Sequence, residues 1–281
     1  MSLDIKIEAL LPQEMAEKAE AAGVYKAALS FLPLFVLAIL AGAFIGLGAM
    51  FATTTAAGSS ALPYGLARLL IGLVFCLGLI LVVVAGAELF TGNNLIVMAW
   101  ANRKITTGAL LRNWLIVYVG NFVGALGTAV LVFLSKQYTS GSGSVGEAAL
   151  KIAVGKVSLG FVQALVLGIL CNGLVCLAVW LTYSAGSVTD KILAIIFPIS
   201  AFVAAGFEHS IANMYFIPYA LLIKSFDPAF VETKAIDLSN LTWGSFFLKN
   251  LIPVTLGNII GGTVLVAAMY WFIYLRKKTN N

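Results

Sequence analysis

The sequence predicts an all-α polytopic membrane protein: six transmembrane helices in two inverted three-helix repeats, with spans 2 and 5 broken. Three observations carry this. The mean hydropathy of the 281 residues is +1.01 and only 10% of them are charged, a composition that no water-soluble domain of this size requires. Apolar runs of about 20 residues or more, the length that crosses a bilayer, recur along the chain. Two of those runs carry polar side chains at matching places. The runs are continuously apolar rather than alternating, which argues against a transmembrane barrel.

The chain reads as one membrane domain, residues 1–281. Residues 1–29 form an amphipathic amino-terminal helix, 30–135 the first repeat, 136–156 a loop with a short helix, and 157–281 the second repeat. The first 29 residues carry Asp4, Glu8, Glu14, Glu17 and Glu20 and lack a long apolar core, so they are not read as a signal peptide. Pro12 stands where a helix begins, and good helix formers follow it. The apolar regions cover about 31–54, 65–101, 109–135, 157–184, 188–225 and 245–275. Between them lie "TTTAAGSSALP", "ANRKITTG", a flexible loop "SKQYTSGSGSVGE" that leads through a short helix to Lys156, and "SFDPAFVETKAIDLSNLT".

Regions two and five are too long for one simple span, and each is polar in its middle. A charged or amide side chain costs a few kcal/mol at the bilayer centre unless it meets a cavity or a partner. Non-helical backbone survives there only where protein or water satisfies it. Each region is therefore expected to be two half-helices around a break. The breaks match: "GAELFTGN" from Gly86 and "GFEHSIAN" from Gly206 both read G-x-E-x4-N. The spans after them match as well, since "NWLIVYVGNFVG" from Asn113 and "NLIPVTLGNIIG" from Asn250 share N-x6-G-N-x-x-G. Two matches in the same order define an internal repeat. Three spans per repeat force the second copy to enter the membrane in the opposite sense, the plan of many transporters and channels. Six spans put both termini on one side, and the basic cluster Arg276-Lys277-Lys278 assigns that side to the cytoplasm.

The net charge of +5 is scattered and is not a nucleic-acid signal; Arg103-Lys104 and the terminal cluster read as anchors at the lipid surface. Cys76, Cys171 and Cys176 lie in apolar runs with no metal spacing and read as packing. No metal or cofactor is expected. Pairs of glycines at helix-contact spacing, Gly42 and Gly46, Gly120 and Gly124, Gly257 and Gly261, allow close helix approach.

The candidate site residues cluster at the breaks. Glu88 and Glu208 are the acidic residues deep in apolar regions. As repeat-matched groups they are read as organisers of the broken backbone, with Asn93 and Asn213 beside them. His209, the one histidine, has Leu89 at its matching place. A residue that departs from the repeat points to the pathway, against the alternative of a buried, inert imidazole, and histidine can change charge near physiological pH. Thr91 and Ser210 begin the second half-helices, where hydroxyls cap free N–H groups and the positive helix ends favour an anion. Asn172 either donates to an anion or joins helices. Lys156 either attracts anions to a mouth or snorkels at the interface. Phe75, Leu79, Phe90, Val175 and Phe202 lie near the breaks, where packing is the ordinary role.

"GFEHSIANM", "GAELFTGN" and "LIPVTLGNIIGG" together resemble the formate/nitrite transporter family, and with the amino-terminal "LLPQEMAEKAEAAGVYKA" they resemble its formate channel branch. The resemblance covers nearly the whole chain. It implies an aquaporin-like protomer in a homopentamer with one pore per protomer. It implies a central His209 supported by Thr91 and Asn172, and breaks stabilised by Glu208 and Asn213. It implies two constrictions, Phe75 and Phe202 toward the outside and Leu79, Leu89, Phe90 and Val175 toward the cytoplasm. Lys156 becomes the external anion attractor. The implied setting is a prokaryotic cytoplasmic (inner) membrane. The implied partners are formate or a similar small monovalent anion, protons, membrane lipid and a formate-metabolising enzyme at the cytoplasmic terminus. Transport of nitrite or hydrosulfide is the alternative within the family. A membrane-embedded enzyme would need a second titratable group or a metal set near His209, and the residues supply neither pattern.

Overall fold

A computed structural model describes residues 9–276. Asp4 and Glu8, with Lys277 and Lys278 of the terminal basic cluster, lie outside the described residues. The described residues are helical throughout their regular structure. Helix α1, Pro12–Ala28, starts at the expected proline; its first turn is closed by Glu14, whose carboxylate accepts from the Leu11 N–H at 2.9 Å. Its inner face, Met15, Ala16, Ala19, Gly23 and Ala27, recurs at helical spacing and is buried.

Among the described residues five helices are long and apolar enough to cross a membrane: α2 (Phe31–Ala56), α3 (Tyr64–Val84), α5 (Thr107–Leu134), α7 (Phe161–Ser184) and the last span, Trp243–Leu275. Regions two and five break where the matched motifs lie. The first break follows α3 and gives way to a 3-10 turn, Gly92–Ile96, and a short α4, Val97–Ala101. The second separates α8 (Val188–Ala204) from α9 (Ser210–Phe226). The halves differ in proportion. The helical stretch after the first break, 92–101, is ten residues long and stops before Arg103 and Lys104, whereas the one after the second break, Ser210–Phe226, runs for 17 residues with its first charged side chain at Lys224. Each break turns on a left-handed glycine, Gly86 at φ 78° and Gly206 at φ 75°, a conformation that a Cβ would strain.

The repeat extends to packing. α2 packs on α3 and α5, and its counterpart α7 packs on α8 and the last span; α3 with α8 and α5 with α9 join the halves. Helix α6 (Ser144–Val157) stands before α7 as α1 stands before α2. The glycine pairs are the contact points. A Cβ on Gly124 would overlap the carbonyl of Ile39, and one on Gly261 the carbonyl of Ile169. Gly124→Ala is therefore expected to destabilise the detergent-solubilised protein by about 3 kcal/mol, the upper end for overpacking. Gly127→Ala, on the same helix with open space around it, should leave the melting temperature unchanged or raised. Equal melting curves for the two variants would remove the close-approach account.

Two features depart from the sequence expectation. The stretch 136–143, expected as a flexible loop, contains a 3-10 turn, Gln137–Thr139, whose Tyr138 is buried, stacks on Phe133 and donates to the Asp227 carboxylate at 2.7 Å. That bond holds the Asp227 carboxyl below its ordinary range. The last span is wound as π-helix over Phe246–Leu251, Gly261–Ala268 and Trp271–Leu275. Widened turns of this kind often mark functional places. Here the second one brings Gly262 against Asn94 and Asn172, where a Cβ would stand 2.5 Å from Asn172 Nδ2.

Candidate functional site

Each break is held by a carboxylate. Glu208 takes Lys156 Nζ on Oε1 at 2.7 Å, and Asn213 and Asn250 Nδ2 on Oε2 at 2.7 and 3.1 Å. Glu88 takes Lys26 Nζ at 2.8 Å and Asn93 Nδ2 at 2.7 Å. All of these amides are buried. The freed backbone is satisfied by the third span of the same repeat. Asn121 donates to the carbonyls of Glu88 and Ala38 and accepts from the Phe90 N–H. Asn258 donates to the carbonyls of Glu208 and Gly168 and accepts from the Ser210 N–H. The N-x6-G-N motif thus supplies both amides: its first asparagine bonds to the amide beside the acidic residue, and its second splints the break itself.

Lys26 was missed by reasoning on the breaks alone. Its signal is present, because "VYKAALSF" and "VGKVSLGF" share V-x-K-x-x-L-x-F. The pattern was weak without the knowledge that α1 and α6 are equivalent. Asn94 was missed as well; it accepts from Asn172 Nδ2 at 2.8 Å. Asn172 also donates to the carbonyls of Thr91 and Asn258, so it does join elements. Its Oδ1 is buried and has no hydrogen-bond partner among the described residues.

His209 caps α9. Its Nδ1 accepts from the Ala212 N–H at 3.1 Å, which assigns the ring proton of the neutral form to Nε2. Nε2 lies 3.0 Å from Thr91 Oγ1. The two breaks therefore meet through one contact, His209 from the second and Thr91 from the first. Ser210 Oγ is buried without a partner among the described residues.

A cavity opens on each side of this contact. The one beside α6, about 310 Å³, is lined by Arg68, Phe75, Lys156, Phe202, Glu208 and His209 among others. The one beside α1, about 460 Å³, is lined by Lys26, Leu79, Glu88, Leu89 and Lys191 among others. Phe75 and Phe202 meet edge to face at 5.7 Å, and Phe202 stacks on His209 at 5.9 Å. Leu79 and Leu89 are buried at the inner end of the α1 cavity. Val175 is buried in the same core and lines neither vestibule. Phe90 is placed elsewhere: its ring meets Trp114 and Tyr118 and borders an outer apolar groove. α3 begins at the α6 cavity and ends at the α1 cavity, while α8 begins at the α1 cavity and ends at the α6 cavity. The two repeats are inverted.

Opposed half-helices, buried polar contacts at their junction and a vestibule on either side define a membrane transport protein of the inverted-repeat class. The profile of the formate/nitrite transporter family matches residues 13–272. The chain belongs to the formate/nitrite transporter family. It is 48% identical over 285 residues to the formate channel FocA of Escherichia coli K12, covering all of both chains. It is 39% identical to a probable formate transporter of Methanothermobacter thermautotrophicus, over 95% of this chain and 97% of that one. A solved structure described as a pentameric formate channel with formate bound superposes with a TM-score of 0.79 at 43% identity, covering 88% of this chain and 98% of the other.

Proposed function

We propose that the protein carries formate across the prokaryotic cytoplasmic membrane, through a pore in each protomer of a homopentamer, with His209 as the central donor. The observation that supports this most directly is the His209–Thr91 contact between two vestibules. The similarity to formate channels names the anion, and the pentameric relative supports the assembly.

A bare anion is strongly disfavoured in an apolar constriction. Phe75 and Phe202 form one such barrier and Leu79 and Leu89 the other. Formate arriving between them competes with Thr91 for the Nε2–H of His209. Outright protonation of formate requires a ring protonated on both nitrogens, because a neutral ring cannot give up its only proton. The second proton sits on Nδ1, so the ring must release the Ala212 N–H while it is charged. The proton then passes from Nε2 to a formate oxygen and leaves the ring neutral with its remaining proton on Nδ1; the neutral acid crosses the apolar barrier, and the capped form returns when Nε2 takes a proton from vestibule water and Nδ1 releases its own to accept again from the Ala212 N–H. Asn172 Oδ1, with no partner among the described residues, is an acceptor for a protonated guest at the same junction. Lys156 and Lys26 hold the carboxylates that fix the breaks. Both termini are assigned to the cytoplasmic side, where a formate-metabolising enzyme is the candidate partner.

The test is formate flux into proteoliposomes at several external pH values, with nitrite and hydrosulfide as competitors. Saturable formate uptake that rises as external pH falls is expected. Flux that ignores pH removes the proton-coupled step, and stronger transport of nitrite or hydrosulfide moves the substrate assignment to that anion.

A further inference from the structure

We propose that Arg68 supplies the net positive charge that draws the anion into the α6 vestibule, as a specificity residue for the transport reading above. Three cations line that vestibule: Arg68, Lys151 and Lys156. Two are balanced by carboxylates. Lys156 is 2.7 Å from Glu208 and Lys151 is 2.6 Å from Glu147. The charge of Lys156 is thus matched where it stands, and its pair adds no net charge to the vestibule. Among the described residues Arg68 is bonded only to neutral groups. Its Nε donates to the carbonyl of Ala204 at 3.0 Å and its Nη2 to the carbonyl of Val203.

Those carbonyls are the last of α8, so a second effect follows. The C-terminal end of a helix carries partial negative charge, and α8 ends at the vestibule. Left bare, that end opposes the anion that α9's N-terminus attracts. Arg68 covers it and leaves Nη1 without a hydrogen-bond partner among the described residues. The position is also on the route. Arg68, Ile71 and Phe75 line the α6 vestibule, and Leu79 lines the α1 vestibule. At spacings of three and four they form one face of α3, leading from the mouth to both constrictions. Gly206 lies alongside: a Cβ there would be 3.5 Å from Arg68 Nη2.

The other vestibule follows the same logic. Lys26 is paired with Glu88 at 2.8 Å. The cation bonded to a neutral helix end is Lys18, whose Nζ donates to the carbonyl of Tyr183 at 2.8 Å. Each side has one internally balanced lysine–glutamate pair that holds a break, and other cations left to act on the anion: Arg68 beside α6, and Lys18 and Lys191 beside α1.

The test is a charge series at position 68 in proteoliposomes, with formate below saturation and low salt. Arg68→Gln should lower uptake about fivefold and Arg68→Glu about 25-fold, the size of one and two unit charges acting over several ångströms in a wet vestibule. Arg68→Lys should stay within about twofold of wild type. Raising the salt to about 1 M, where screening acts within about 3 Å, should bring the series together. Saturating rates should agree to about twofold. Uptake independent of charge at position 68 overturns the proposal. So does an Arg68→Lys variant as slow as Arg68→Gln at all salt concentrations, which would leave only a helix-capping role. If the neutral and acidic variants do not assemble, Arg68→Lys decides: wild-type uptake with a wild-type salt slope supports the proposal, and slow, salt-independent uptake overturns it. Absence of formate flux in wild type would instead remove the formate reading, and the same series is then read with nitrite.

Discussion

His209→Asn is expected to lower formate uptake at acid external pH by about a hundredfold, the low end of what a positioned proton donor contributes, and to leave a flux that no longer follows pH. The substitution is chosen for what it keeps. Asparagine is among the best residues at a helix N-cap, so its amide oxygen can take the Ala212 N–H that Nδ1 now accepts. The break and α9 should survive, and thermal stability should change little. What is lost is the ring's ability to hold a second proton and to offer Nε2–H opposite Thr91. His209→Phe removes the cap as well and should cost about 1 kcal/mol more of stability. Radioactive formate uptake in proteoliposomes at pH 5 and pH 8, with melting curves for both variants, checks this. Unchanged flux in His209→Asn would reduce His209 to a helix cap, and the anion would then have to cross both barriers without a proton.

Glu208→Gln is expected to lower the stability of the protein by about 3 kcal/mol, the usual cost of stripping a buried charge of its partner. Lys156 has 15% of its side chain exposed and Glu208 only 5%, so water replaces little of what is lost. Glutamine can still accept from Asn213 and Asn250, so the loss is mainly that of the ion pair. Adding Lys156→Met should recover part of it, since the uncompensated charge is removed together with its partner. The equivalent change in the first repeat, Glu88→Gln, should cost less, because Lys26 is 27% exposed and can turn to water. The measurement is thermal unfolding of the single variants and of the double variant. Strictly additive losses at Glu208 and Lys156, or a larger effect at Glu88 than at Glu208, would contradict this account.

The spans and the repeat were legible in the sequence. Crossing a bilayer demands long uninterrupted apolar runs, and a broken helix inside one demands polar groups at fixed places around a glycine. Those demands act over short stretches, so Gly86, Glu88 and Asn93, and their matches Gly206, Glu208 and Asn213, declared the breaks. His209 stood out because it departs from the match, and the structure puts it in contact with Thr91 across the two breaks.

What only the tertiary structure decided are the partnerships between distant residues. Lys26 reaches Glu88 because α1 lies against the first break, and nothing in the charge pattern of an amphipathic helix says which lysine turns inward. Arg68 belongs to no motif in the sequence, and its partners, the last carbonyls of α8, are set by packing. Phe90 and Leu89 are neighbours in sequence, yet one borders an outer groove and the other a vestibule, because successive residues in a non-helical break point to different sides. The π turn at Gly261–Ala268 carries Gly262 against Asn94 and Asn172, neighbours that meet only when the chain is folded. Hydropathy and local backbone chemistry are properties of segments, and a sequence carries them openly. The balance of charge around a vestibule depends on which segments face each other, and that is settled by packing.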